Sequence, residues 1–191
     1  MKVGPAKKKN QAIKTKQLQQ MNEIWPETPL SALWSRSKVK GFATIPKTLP
    51  LVMRLIDLLT KGQPASATYF ALWANTWDIS MVEITREGIM AWESGFFGPR
   101  AVSTWRGRMH SLKRLGFIDN FDGPDGPFTR VLIHNPHAVI RFIKETKTEE
   151  FCANQGDFIK LYTELIDKCA RLKGGDEFDP KNEAWKFFQK E

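Results

Sequence analysis

From Leu51 onward, apolar residues recur every three or four positions in some stretches and every second position in others. Leu51, Val52, Leu55, Ile56, Leu58 and Leu59 make a broad stripe on a helix that Thr48 caps and that runs to about Lys61, where Gly62 stops it. A second helix, from about Ala65 to Asn75, puts Phe70, Trp73 and Trp77 on one side. Ile79 to Ile84 reads as a short strand bounded by Asp78 and Thr85. Thr85 is the expected N-cap of a helix ending near Ser94, with Gly95 as its stop. After Gly95-Phe96-Phe97-Gly98-Pro99 comes a helix from Pro99 or Arg100 to Leu115, terminated by Gly116. Phe117 to Phe121 and Phe128 to His134 are strands, joined by the turn formers Asp122 to Pro127. The remainder is predicted helical over Pro136 to Thr146, Asn154 to Lys173 and Pro180 to Lys190, the last opened by Asp179 and a proline at its first position.

Upstream of Leu51 the periodicity fails. Residues 1–24 are rich in Lys and Gln and are expected to be an arm that is disordered, or helical only when bound. Residues 25–47 are broken up by Pro26, Pro29, Gly41 and Pro46, yet Trp25, Leu30, Leu33, Trp34 and Phe42 predict that the segment packs on the core. Charge sharpens this division. The formal net charge is +8, and residues 1–42 carry nine bases against Glu23 and Glu27, so residues 43–191 are nearly neutral. Such a balance favours an anionic partner, nucleic acid before a membrane surface. No run approaches the ~18 apolar residues of a membrane span, and no apolar stretch follows the first lysines. Neither a span nor a secretory signal is expected, and the location expected is cytoplasmic or nucleoid-associated. Cys152 and Cys169 form no CxxC pair and read as core thiols of a reducing compartment.

The order strand, helix, turn, helix, hairpin carries a likeness. The segments Ile84-Thr85-Arg86-Glu87-Gly88-Ile89-Met90-Ala91-Trp92, Arg100-Ala101-Val102-Ser103-Thr104 and Leu112-Lys113-Arg114-Leu115-Gly116-Phe117-Ile118 resemble the bacterial winged helix-turn-helix DNA-binding superfamily, over residues 85–135. The resemblance implies a mainly α fold with a small antiparallel sheet (α+β). It sets a winged-helix domain at 48–147 between a flexible basic arm at 1–24, a packed irregular segment at 25–47 and a C-terminal helical extension at 148–191.

The 100–115 helix also carries a physical argument. Val102, Trp105, Met109 and Leu112 fall on one stripe, and Arg100, Ser103, Thr104, Gly107, Ser111 and Arg114 on the opposite side. Small polar residues and arginines suit a major groove, where Gly107 admits a close backbone approach. Arg100, Ser103, Thr104 and Gly107 are assigned to base reading, because the N-terminal half of such a helix does the reading. Arg106 and Lys113 flank one edge and Arg108 the other, where phosphates would lie, and His110 is a phosphate or base contact. Arg130, on the side of Phe128 and Leu132, touches phosphate or a cross-strand partner. The acidic tip residues Asp122 and Asp125 argue against deep insertion of the wing. Lys7, Lys8 and Lys9 add affinity through counterion release, or merely solubilise the chain. Phe158, Tyr162, Leu165, Cys169 and Leu172 are spaced like a coiled-coil seam, which serves either a homodimer through 154–173 or packing on the protein's own core.

Catalytic signals are weak. His134 and His137 lack a third ligand and read as capping or solvent-exposed residues, while Ser35-x-x-Lys38 lacks the companion motifs of a penicillin-recognising site. Gly123 and Gly126 lack the strand-before, helix-after context of a phosphate loop. Phe96 and Phe97 are expected to be buried turn aromatics. No enzyme activity, cofactor or metal is expected. The function expected is sequence-specific binding of double-stranded DNA, foremost in transcriptional regulation. Alternatives are a plasmid, phage or other mobile-element replication factor, and a winged-helix protein–protein adaptor in a nucleoprotein assembly.

Overall fold

The computed structural model describes residues 5–36, 40–76, 79–124 and 126–189, without the side chains of residues 5–12, 14 and 30. Trp77, Asp78, Asp125 and Lys38, expected respectively at a helix face, a strand boundary, a wing tip and a chance motif, lie outside the described residues. The chain divides into two compact units, Met1–Phe42 and Ala43–Glu191.

The first unit is dominated by α1 (Pro5–Ile24), a 20-residue helix over the segment expected to be disordered, or helical only when bound. Its interior has no glycine or proline and is mostly Ala, Lys, Gln and Met, all good helix formers, so local propensity favours the helix. Ile13, Leu18 and Ile24 remain exposed. A short 3₁₀ turn follows at Leu30–Ala32. Trp25 and Trp34 stay 59% and 69% exposed, so the aromatic residues expected to pack lie at the surface. Phe42 instead carries the Arg36 guanidinium 4.4 Å above its ring.

The second unit is mainly helical with a small antiparallel sheet, as the residue pattern implies. Its elements are α2 (Leu49–Leu59), α3 (Ser66–Ala74), β1 (Met81–Glu83), α4 (Glu87–Glu93), α5 (Ala101–Arg114), β2 (Ile118–Gly123), β3 (Gly126–Ile133) and α6 (Pro136–Phe142). There follow a π-helical stretch (Ile143–Lys147), α7 (Thr148–Phe151), α8 (Gln155–Arg171) and 3₁₀ turns at Asp176–Phe178 and Ala184–Gln189. The sheet order is β1-β3-β2, with Val82 opposite Val131 and Ile118 opposite Ile133.

Several local expectations are corrected by side-chain chemistry. Thr48 precedes α2, but its hydroxyl bonds the His137 ring nitrogen Nε2 at 3.0 Å and caps nothing. The buried face of α3 is Thr68, Tyr69, Ala71 and Leu72, while Phe70 is exposed. Thr85 caps no helix: α4 begins after an extended Arg86, and Glu87 places its negative charge at the positive helix start. Among the described residues of the predicted helix, 180–189, no α-helix forms. There Asp179 and Asn182 accept from the backbone N–H groups of Lys181 and Ala184, at 2.8 and 2.9 Å, and these local bonds compete with a helix ladder.

The core gathers Leu55 and Ile56 from α2, Tyr69 and Leu72 from α3, Trp105, Met109 and Leu112 from α5, and Phe117, Phe128 and Val131 around the hairpin. Each such side chain is worth ~1.5–3 kcal/mol when fully buried. Helix α8 packs along α2 and buries Phe158, Leu165 and Cys169 in this same core. Three of the five seam residues are thus packed on the protein's own core, the second of the two expectations, while Tyr162 is half-buried and Leu172 exposed. Burial pushes the Cys152 and Cys169 thiols up, so both stay protonated core groups.

Candidate nucleic-acid interface

The orientation of α5 is fixed by its apolar side. Ala101, Trp105, Met109 and Leu112 are buried, and Trp105 meets Phe128 edge to face at 5.7 Å between ring centroids. Val102, expected in the same stripe, is half-buried. Gly95 makes the turn from α4 possible: its φ of +85° is a conformation that side chains with a Cβ avoid. Of the two turn aromatics, Phe96 is half-buried and Phe97 is 75% exposed, so burial fails for Phe97.

The opposite side of α5 faces solvent. Arg100, Ser103, His110 and Arg114 are exposed, with Thr104, Gly107 and Ser111 half-buried among them. A Cβ placed on Gly107 would meet no atom within 4 Å, so the backbone lies open at the centre of this face. Ser103 and Ser111 donate to the carbonyls of Arg100 and Gly107, at 2.9 and 3.1 Å, leaving each hydroxyl oxygen able to accept. Nowhere in α5 is there a carboxylate.

The flanks are different, because most of their cations already have partners. Arg106 donates through Nε and Nη2 to Glu87 Oε2 at 2.9 and 2.5 Å, and this pairing pushes its guanidinium further up. The hairpin turn closes on the same pair. Gly126, at φ +136°, comes so near that a Cβ there would lie 2.9 Å from Glu87 Oε1. Lys113 donates to Asn120 at 2.6 Å and lies 3.4 Å from Asp119. Arg108 donates to Gln63 at 3.0 Å and leans over the Phe96 ring. Arg130 lies 3.6 Å from Glu83, its neighbour across the β1–β3 ladder, so of its two expected roles the cross-strand partner is the one in place. It shares the outer face with Leu132 but not with Phe128. The ladder shifts register between Phe121 and Gly123, and both Phe128 and Thr129 turn inward. Lys7, Lys8 and Lys9 lie in α1, and their side chains are outside the described residues.

The two histidines near the hairpin exit are joints, not exposed caps. His134 Nδ1 sits 2.8 Å from the Gly116 carbonyl, and its ring packs edge-on against Phe187 and Phe188. His137 bonds Thr48 and lies 3.5 Å from Glu177. Burial alone would push the Glu177 carboxyl up, but hydrogen bonds from Asn135 and the backbone, together with His137, hold it below the usual carboxylate range. Among the described residues no group of three or more His, Cys, Asp or Glu is arranged to hold a metal ion. No helix among them is long and apolar enough to cross a membrane.

Two features were missed from the sequence. Ile89 and Trp92, one turn apart on α4, and Phe97 in the turn after it are exposed apolar residues, Trp92 to 63%. Spacing gave no sign of this, since a helix of seven residues buries Met90 and Ala91 and has no room for a second inward face. The other is a cleft between the C-terminal half of α5, the turn after α2 and Phe151. Its far wall, Lys61 and Gln63, is distant in sequence. No family model, curated protein or solved structure matches the chain.

Proposed function

We propose that residues 79–135 are a winged helix-turn-helix and that the protein binds double-stranded DNA, with α5 reading the major groove. The observation that carries this reading is the outward face of α5. It has arginines at both ends, small polar residues between, an open glycine at the centre and no acid anywhere on the helix. The strand order β1-β3-β2, with α4 and α5 inserted between β1 and the hairpin, supports the same reading. Base edges are met by Arg100, Ser103, Thr104 and Gly107, while Arg114 and the lysines of α1 meet phosphates. Arg106 and Lys113 position the helix against α4 and the hairpin, which is a change from their expected role at phosphates. Transcriptional regulation is the role put forward, with plasmid or phage replication as the alternative within the same class. The test is fluorescence anisotropy on duplexes selected from a random library and on unselected duplexes. Preference for the selected duplexes, lost in Arg100→Ala, supports the reading; equal affinity for both sets in the wild type sinks it.

The exposed Ile89, Trp92 and Phe97 favour a second reading, a protein–protein adaptor. Large aromatic residues clustered at a surface are typical anchors of protein interfaces. In that case Trp92→Ala would abolish partner capture and leave anisotropy on DNA unchanged.

A further inference from the structure

We propose that the cleft at the C-terminal half of α5 is a binding site for phosphate groups, in a phosphodiester backbone or a free polyphosphate. The inference shares α5 with the DNA-reading proposal but does not need it, since a free polyphosphate binds here whether or not duplex DNA is read.

The cleft has a volume of about 500 Å³, within the range of small-ligand sites. It is lined by Lys61 and Gln63 from the turn after α2, by His110, Ser111 and Arg114 from α5, and by Phe151 from α7. Among the described residues no carboxylate lines it. Two of the lining side chains, Lys61 and Arg114, carry full positive charge, and both are exposed. Arg108 stands behind Gln63 and takes the amide oxygen at 3.0 Å, so the group Gln63 can offer a ligand is its –NH₂ donor. Arg114 is held at the rim by the Phe151 ring, 6.0 Å from its centroid. Lys61, Arg114 and the Gln63 amide thus present cations or a donor, His110 brings a ring with one donor nitrogen, and only the hydroxyls of Thr60 and Ser111 present oxygen acceptors. Those hydroxyls already give their protons to the Ile56 and Gly107 carbonyls.

The bland account is that Lys61 and Arg114 merely offset the ends of α2 and α5, both of which finish beside the cleft. Magnitudes argue against it. Each helix end carries roughly −0.5 of a charge, so two full positive charges exceed what two helix ends require. An excess of positive charge in a concave site concentrates anions. Phosphate oxygens suit a lysine and a guanidinium that line one cleft, because they accept on several sides.

The test is isothermal titration calorimetry of the whole chain with sodium tripolyphosphate, which carries phosphates and no base. Saturable binding that falls about tenfold in both Lys61→Gln and Arg114→Gln, and is unaltered in Lys160→Gln on α8, supports the site. Absence of saturable binding overturns it, as does an equal loss in Lys160→Gln, which would mark diffuse counterion attraction. Competition separates the two sources. A duplex that displaces tripolyphosphate identifies the DNA backbone as the ligand, and a duplex bound alongside it identifies a free polyphosphate effector. Thermal unfolding of each variant guards against loss of fold. A wild type that binds tripolyphosphate but no duplex keeps the cleft and discards the DNA proposal.

Discussion

Two basic helices sit in this molecule, and they use charge in opposite ways. Helix α1 is longer, carries lysines in its N-terminal half, and leaves Ile13, Leu18 and Ile24 exposed. Helix α5 has 14 residues, and Trp105, Met109 and Leu112 are entirely buried. Since burial of that stripe sets the rotation of α5, each arginine and serine on it has a defined direction. Among the described side chains of α1 none is buried. Charge without a buried stripe supplies attraction, whereas charge opposite one supplies geometry.

Removing the stripe should erase the difference. Trp105→Ala is expected to cost ~3–5 kcal/mol of stability, because the indole is fully buried and packs on Phe128. That corresponds to a fall in Tm of roughly 6–20 °C for a chain of this size. Leu18→Ala in α1, by comparison, should stay within ~0.5 kcal/mol. Urea denaturation of both variants measures the contrast, and similar losses in the two would dissolve it.

The second expectation concerns attraction alone. Deleting residues 1–20 should flatten the dependence of DNA affinity on salt by about 0.9 in the log–log slope for each phosphate that the α1 lysines neutralise. Preference among duplexes should survive. An unchanged slope would place α1 away from DNA.

Geometry is tested next. Arg100→Ala and Thr104→Ala should each lower affinity for a selected duplex by ~1–3 kcal/mol, and for random duplex by much less. Neither side chain touches the buried stripe, so thermal stability should hold. If both variants keep wild-type selectivity, α5 is no better oriented for reading than α1.

The finest test sets stability against function at one atom. Gly107→Ala should stabilise the protein by up to ~1 kcal/mol, since the new methyl meets no neighbour and alanine favours helix. The same methyl stands where a groove floor would approach, so DNA affinity should drop. Differential scanning calorimetry and anisotropy on one preparation read both signs, and affinity that rises with stability would refute the close approach.

Legibility from sequence followed the same physics. The Trp105-Met109-Leu112 stripe, the stop at Gly95 and the hairpin strands were readable because period and turn chemistry are local. Helix α1 was not, since its order comes from propensity without a hydrophobic period. The partners of Arg106, Arg108 and Arg130 were hidden because Glu87, Gln63 and Glu83 lie 19, 45 and 47 positions away in sequence. The outward turn of Arg130 relative to Phe128 was misjudged because one register shift in a ladder resets the side of every residue beyond it. The face of α5 was therefore legible, and its flanks and cleft were not.

Arg141 has a consequence of another kind. A single Nη1 group of its guanidinium donates to the carbonyls of Glu177, Asp179 and Asn182, at 2.5, 2.6 and 3.0 Å. Three backbone acceptors on one nitrogen open and close together. The last turns of the chain should therefore behave in hydrogen exchange as one unit, with the amides of 177–186 exchanging through a common opening whose free energy lies below that of global unfolding.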